Sequence, residues 1–135
     1  MKYYIATSTA RASHHNLVRD LLKEQGHELV YDWTAHGSVR ETSVERLRAV
    51  ATVELQSIAN ADFVLVLLPG GKGTHTELGF SLACKKAVLV HSEDPLAFEI
   101  GPEACAFYHH PDVVRLSCPI ENVAQMVQSV LVASI

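Results

Sequence analysis

Six apolar residues in a row, Phe63-Val64-Leu65-Val66-Leu67-Leu68, constrain this chain more than any other feature. The run is too short to cross a membrane and does not alternate with polar residues, so it reads as a strand buried on both faces. A strand of that kind belongs to a parallel sheet covered by helices on each side. Pro69-Gly70-Gly71-Lys72-Gly73 follows at once and breaks it. The rest of the chain alternates in the same sense. Short apolar runs at Tyr3–Thr7, His27–Tyr31, Ala87–Val90 and Val113–Leu116 predict four more strands. Between them lie helical patterns: Leu17, Val18, Leu21 and Leu22 on one face after a Ser13 cap, and Val44, Leu47, Ala51, Leu55 and Ile58 between Glu41 and Asn60. Thr74 to Lys85 predicts a third helix, and Pro119 opens a last one with Ile120, Val123, Val127 and Val130 inward. The expected fold is α/β: a doubly wound, parallel five-stranded sheet in the flavodoxin-like order 2-1-3-4-5, one domain over residues 1–135.

Composition narrows the function classes. The chain has 135 residues, 48% apolar and 19% charged, an ordinary globular balance for one core. Eleven basic and fifteen acidic residues give a net charge of −4 with no basic stripe, which argues against polymeric nucleic acid as a partner. No apolar run has the length of a membrane helix, and Met1–Ala6 lacks the architecture of a signal peptide. Cys84, Cys105 and Cys118 are odd in number and form no C-x-x-C pair, so we expect reduced, mostly buried thiols in a cytoplasmic protein. The eight histidines include the adjacent pairs His14-His15 and His109-His110, which diverge on a helix or strand; no metal site is expected.

In a doubly wound sheet the ligand site lies beyond the carboxyl ends of the strands where the order reverses. That places two loops at the site, Thr7–Ala12 and Pro69–Thr74. Gly70, Gly71 and Gly73 let the backbone approach a ligand, and Thr74 and His75 begin the next helix. The loop is neither a Walker A loop nor a G-x-G-x-x-G turn. Glu77, expected in the first turn of that helix, has two readings that stay open here. Thr74-His75-Thr76-Glu77 fits a capping box with Thr74 as the cap. Alternatively, the helix dipole favours an ionised Glu77, which suits a carboxylate nucleophile. Thr7, Ser8 and Arg11 offer hydroxyls and a guanidinium for a 5′-phosphate, or simply a capping turn with a solvated arginine. Trp33, the single tryptophan, either stacks on a base or anchors its loop. His75 and His36 are titratable candidates for donating a proton to a leaving base, or are solvent-exposed bystanders.

The stretch from Asp62 through the glycine loop to Glu77-Leu78-Gly79-Phe80-Ser81-Leu82-Ala83 resembles the nucleoside 2-deoxyribosyltransferase family, which includes deoxynucleoside 5′-monophosphate N-glycosidases. The resemblance implies a glutamate nucleophile at Glu77, a sugar- or base-holding aspartate at Asp62, a positioning tyrosine at Tyr4 and a phosphate-loop serine at Ser8. It implies cleavage or exchange of the N-glycosidic bond of a nucleoside or nucleotide, no cofactor, and a homo-oligomer whose neighbour closes the site through residues 92–112. The loop Pro-Gly-Gly-x-Gly-Thr-x-x-Glu is also similar to that of the lonely-guy type phosphoribohydrolases, although Thr52-Val53-Glu54 holds no arginine where those enzymes carry one. The transferases often have an acidic residue in the loop where this chain has Gly70-Gly71-Lys72. Two other readings are a non-catalytic nucleotide-binding module and an FMN-binding, flavodoxin-like electron carrier; the second gives Glu77 no role.

Overall fold

The computed structural model describes residues 1–134. Five parallel strands form one sheet: β1 (Lys2–Ala6), β2 (Glu28–Leu29), β3 (Phe63–Leu67), β4 (Ala87–Ser92) and β5 (Val113–Ser117), in the order β2-β1-β3-β4-β5. The expected topology is therefore the observed one. All five residues of β3 are buried, as its unbroken apolar run requires.

Four helices cover the two faces: α1 (Ala12–Glu24), α2 (Val44–Ala59), α3 (Lys72–Ala83) and α4 (Val123–Ala133). Successive strand residues point to opposite faces, so each strand feeds two cores. Tyr3, Ile5, Phe63, Leu65, Leu67, Leu89 and Leu116 pack with Val18 and Leu22 of α1 and Val123 and Val127 of α4. Tyr4, Ala6, Val64, Val66, Val88 and Val90 pack with Ile58 of α2 and Leu78 and Leu82 of α3. Each fully buried aliphatic side chain contributes roughly 1.5–3 kcal/mol. Tyr4, on the second face, is the one β1 residue whose polar end enters the α2/α3 layer.

Two local readings need correction. β2 is two residues long rather than five: the Val30 amide still donates to the Tyr3 carbonyl at 2.9 Å, and the pairing with β1 ends there. Ser13 lies inside α1, whose start is preceded by a tight turn at Thr9–Arg11; the Arg11 amide donates to the Ser8 carbonyl at 2.9 Å. Two further short turns, Pro95–Phe98 and Ala106–His109, organise the irregular stretch after β4. Cys84, Cys105 and Cys118 are free thiols, each half-buried. No helix of the described residues is long and apolar enough to cross a membrane.

Candidate active site

The third helix decides the chemistry. α3 begins at Lys72, with Gly71 at the N-cap position, so Thr74 is not the cap. Instead the Gly71 amide donates to the Thr74 hydroxyl at 3.2 Å, and Thr74 is buried. A methyl group on Gly70 would collide with the Thr74 side chain, which explains a glycine there. Starting the helix two residues early moves Glu77 from the first turn to the second. There the dipole is weaker and the carboxyl is covered by protein: Glu77 is 7% exposed.

Glu77 is not a cap. Its Oε2 accepts a hydrogen bond from the Tyr4 hydroxyl, which β1 delivers from beneath. Its carboxyl also lies beside that of Glu54, a half-buried residue of α2, and each acts on the protonation of the other. Burial pushes the Glu77 carboxyl up to about 8; the Tyr4 bond opposes this, and the nearby Glu54 charge adds to it. Burial raises Glu54 as well, while His36 and the adjacent Glu77 carboxyl pull it down. Tyr4 is held far above the ordinary phenol range, first by burial and then by Glu77. The dipole argument for an ionised Glu77 is thus overturned. In the open cleft burial therefore favours the protonated form of the Glu77 carboxyl over the ionised one.

The pair opens onto a cavity of about 740 Å³ above the carboxyl ends of β1 and β3. Thr7, Ser8, Thr9, Gly71, Lys72, Gly73 and Thr74 line one side. Trp33, Val39, Leu47, Val50 and Ala51 give the other side an apolar wall, with His36, Ser38 and Arg40 at its rim. The Thr7 hydroxyl donates to the Leu67 carbonyl at 2.7 Å, so it serves the fold as well as the lining. Trp33 is both a wall and an anchor: its Nε1 donates to the Ile5 carbonyl at 3.0 Å and its ring meets His15 edge-on. His36 faces the cleft near Glu54, with Nδ1 donating to the Gly37 carbonyl at 2.7 Å and Nε2 buried without a partner among the described residues.

Four expected site residues stand elsewhere. Asp62 precedes β3, at the amino end of the sheet, about 16 Å of strand rise from the cleft. Its Oδ2 accepts the Lys2 amide at 2.7 Å and its own amide donates to the Lys2 carbonyl at 2.8 Å, so it pins the start of β1 to β3. Arg11 does not line the cavity; it turns toward β4, where its charge acts on His91. His75 also lies outside the lining and bonds to Gly71 and Tyr108. Gly70 packs under Thr74 rather than facing the cleft.

Sequence reasoning missed Glu54, yet the signal was present. Glu54 follows Leu47 by seven residues and Val50 by four, so it lies on the inward stripe of α2, where a carboxylate is out of place. Lys72 and Arg40 were likewise unassigned, and both line the cleft.

A doubly wound sheet with a buried tyrosine–glutamate–glutamate cluster at its switch point defines an α/β protein with a small-molecule cleft built around paired carboxyls. The chain belongs to the nucleoside 2-deoxyribosyltransferase family, whose model matches residues 4–127. Among solved structures it is similar to the Clostridium botulinum CMP N-glycosidase BcmB, with a TM-score of 0.65 and 14% identity over 95% of this chain and 99% of that one. It is also similar to a 2-deoxyribosyltransferase of Bacillus psychrosaccharolyticus, with a TM-score of 0.69 and 21% identity over 92% of this chain and 90% of the other. No curated protein matches its sequence.

Proposed function

We propose that this chain, as one domain, cleaves the N-glycosidic bond of a nucleoside 5′-monophosphate, with Glu77 as the nucleophile and Glu54 as the proton donor. The observation that carries this reading is the carboxyl pair, buried beneath a cleft with one apolar wall and one wall of hydroxyls and glycine amides. The apolar side, Trp33 with Val39, Leu47, Val50 and Ala51, suits a base; the Thr7–Thr9 and Gly71–Thr74 side, with Lys72, suits a sugar phosphate.

Two carboxyls sharing one proton supply what the reaction needs. As the glycosidic bond lengthens, positive charge grows on the anomeric carbon beside Glu77 and favours its ionised form. The proton of the pair then resides on Glu54. The bonding electrons leave with the base nitrogen, Glu54 protonates that base, and the Glu77 carboxylate bonds to the anomeric carbon. Tyr4 holds the Glu77 oxygen in place. Water, or the nitrogen of a second base, then displaces Glu77 from the sugar.

Three free cysteines support a cytoplasmic setting. The exposed apolar side chains Leu96, Ile100 and Phe107 after β4 support a homo-oligomer.

The test is incubation with a panel of nucleosides and 5′-monophosphates, CMP included because of the botulinum enzyme, with detection of free base. Release of base by wild type and its loss in Glu77→Gln are expected. Lys72→Ala should weaken use of monophosphates and spare free nucleosides, since only the former carry the dianion. Binding without release would leave a non-catalytic module, and a yellow protein would leave a flavin carrier.

A further inference from the structure

His75 and Tyr108 form a relay that the carboxyl chemistry does not use. The His75 Nδ1 lies 2.8 Å from the Gly71 carbonyl, and its Nε2 lies 2.7 Å from the Tyr108 hydroxyl. A carbonyl only accepts, so Nδ1 carries the proton and donates to it. In the neutral ring Nε2 is then a bare lone pair, to which the Tyr108 hydroxyl donates. With the ring neutral the relay runs from Tyr108 to His75 to Gly71.

The relay ends on the residue that shapes one wall of the cleft. The Gly71 carbonyl receives the His75 amide at 3.2 Å in addition to the ring, and the Gly71 amide is tied to Thr74. Every polar atom of Gly71 is therefore held, and a glycine held that way has lost the freedom its missing side chain allows. At the far end Tyr108 is buried in the turn Ala106–His109. Its carbonyl accepts from Arg115 Nη1 of β5 at 3.0 Å, and its ring meets Phe98 at 81° with centroids 6.1 Å apart. The anchor is thus the irregular segment after β4, braced on β5.

We propose that Tyr108 and His75 are positioning residues, which through the Gly71 carbonyl set the Gly71–Thr74 wall that receives the 5′ end of the substrate. The inference rests on the reading of the cleft given under Proposed function. A wall that holds a part of the substrate remote from the reacting bond acts on the ground state and the transition state alike, so its loss raises KM and leaves kcat nearly unchanged.

Tyr108→Phe keeps the ring and its packing and removes only the donor. It should raise KM for the best-cleaved monophosphate about fivefold, the value of one hydrogen bond, with kcat changed less than twofold. His75→Asn keeps an amide near the Nδ1 position but cannot reach Tyr108, so Tyr108→Phe added to it should do nothing further. Additive effects of the two substitutions on KM would overturn the relay, as would a fall in kcat and protein yield at unchanged KM, which marks a purely structural role. A second measurement needs no activity. Nitrogen-15 spectra should show His75 in the Nδ1–H form, and Tyr108→Phe should move the Gly71 and Gly73 amide signals and mix the His75 tautomers. Unmoved glycine signals would refute the proposal. A wild-type protein that releases no base from any substrate sinks the glycosidase reading, and the spectra then decide the relay by themselves.

Discussion

Glu77→Gln tests the carboxyl pair through stability as well as catalysis. The glutamine is close in shape to a protonated glutamate, can still accept from Tyr4, and can donate to Glu54. Glu77 titrates near pH 8 in the fold against about 4.5 when exposed. A carboxyl raised on folding contributes stability that is full below its unfolded value and is lost as pH rises through its folded value. Between pH 5 and pH 8 the wild-type fold therefore loses up to about 1.4 kcal/mol per pH unit relative to the variant, a ceiling of about 4 kcal/mol. Groups remote from the pair titrate equally in both proteins and cancel in the difference; Glu54, which is coupled to Glu77, does not, and the figure is therefore a ceiling. Urea denaturation at pH 5 should find the two within about 1 kcal/mol, and at pH 9 the variant should be the more stable by at least ~2 kcal/mol. Base release should be abolished at both. Parallel stability curves across the range would show that Glu77 does not hold a buried proton, and retained cleavage would remove it as the nucleophile.

Three further outcomes are expected. Glu54→Gln removes the neighbouring charge that adds to the burial of Glu77, so the Glu77 midpoint should fall below 8 while staying above an exposed glutamate, as read from its carbon-13 carboxyl shift. Asp62→Ala should cost about 1 kcal/mol in urea denaturation through the lost Lys2 bond and leave kcat/KM within twofold of wild type. Trp33→Phe leaves the Ile5 carbonyl buried without its donor and should cost about 1–3 kcal/mol, measured in the same way.

The sheet was legible because its evidence is local and repeated. A strand buried on both faces admits few architectures, and the alternation of strand and helix patterns around it selects one of them. Tyr4 and Glu77 were legible through family resemblance, and the structure joins them directly. Helix starts were less so. Gly71 caps α3, which starts at Lys72, two residues before Thr74, and that small slip moves Glu77 from a position favoured by the dipole to a buried one, reversing the inferred charge. Asp62 was misplaced because adjacency to the central strand says nothing about which end of the sheet a residue occupies. Glu54 was overlooked because its partner is twenty-three positions away in sequence, and only the packing of α2 against α3 brings the carboxyls together. Arg11 and Lys72 show the same limit: a cation beside a loop can turn to either side of the sheet, and only the fold decides which.

The tryptophan at the edge of the cleft gives the protein a built-in optical reporter. Trp33 is the sole indole in the chain, and its emission comes from one place. Its Nε1 is locked to the backbone of β1, so rotation of the ring contributes little to the signal. His15, the ring at its edge, is held below the ordinary histidine range by burial, and its quenching imidazolium form is scarce at neutral pH. A base stacked on the apolar wall would therefore change the emission without a label, and stopped-flow fluorescence would time the filling of the cleft separately from the release of free base.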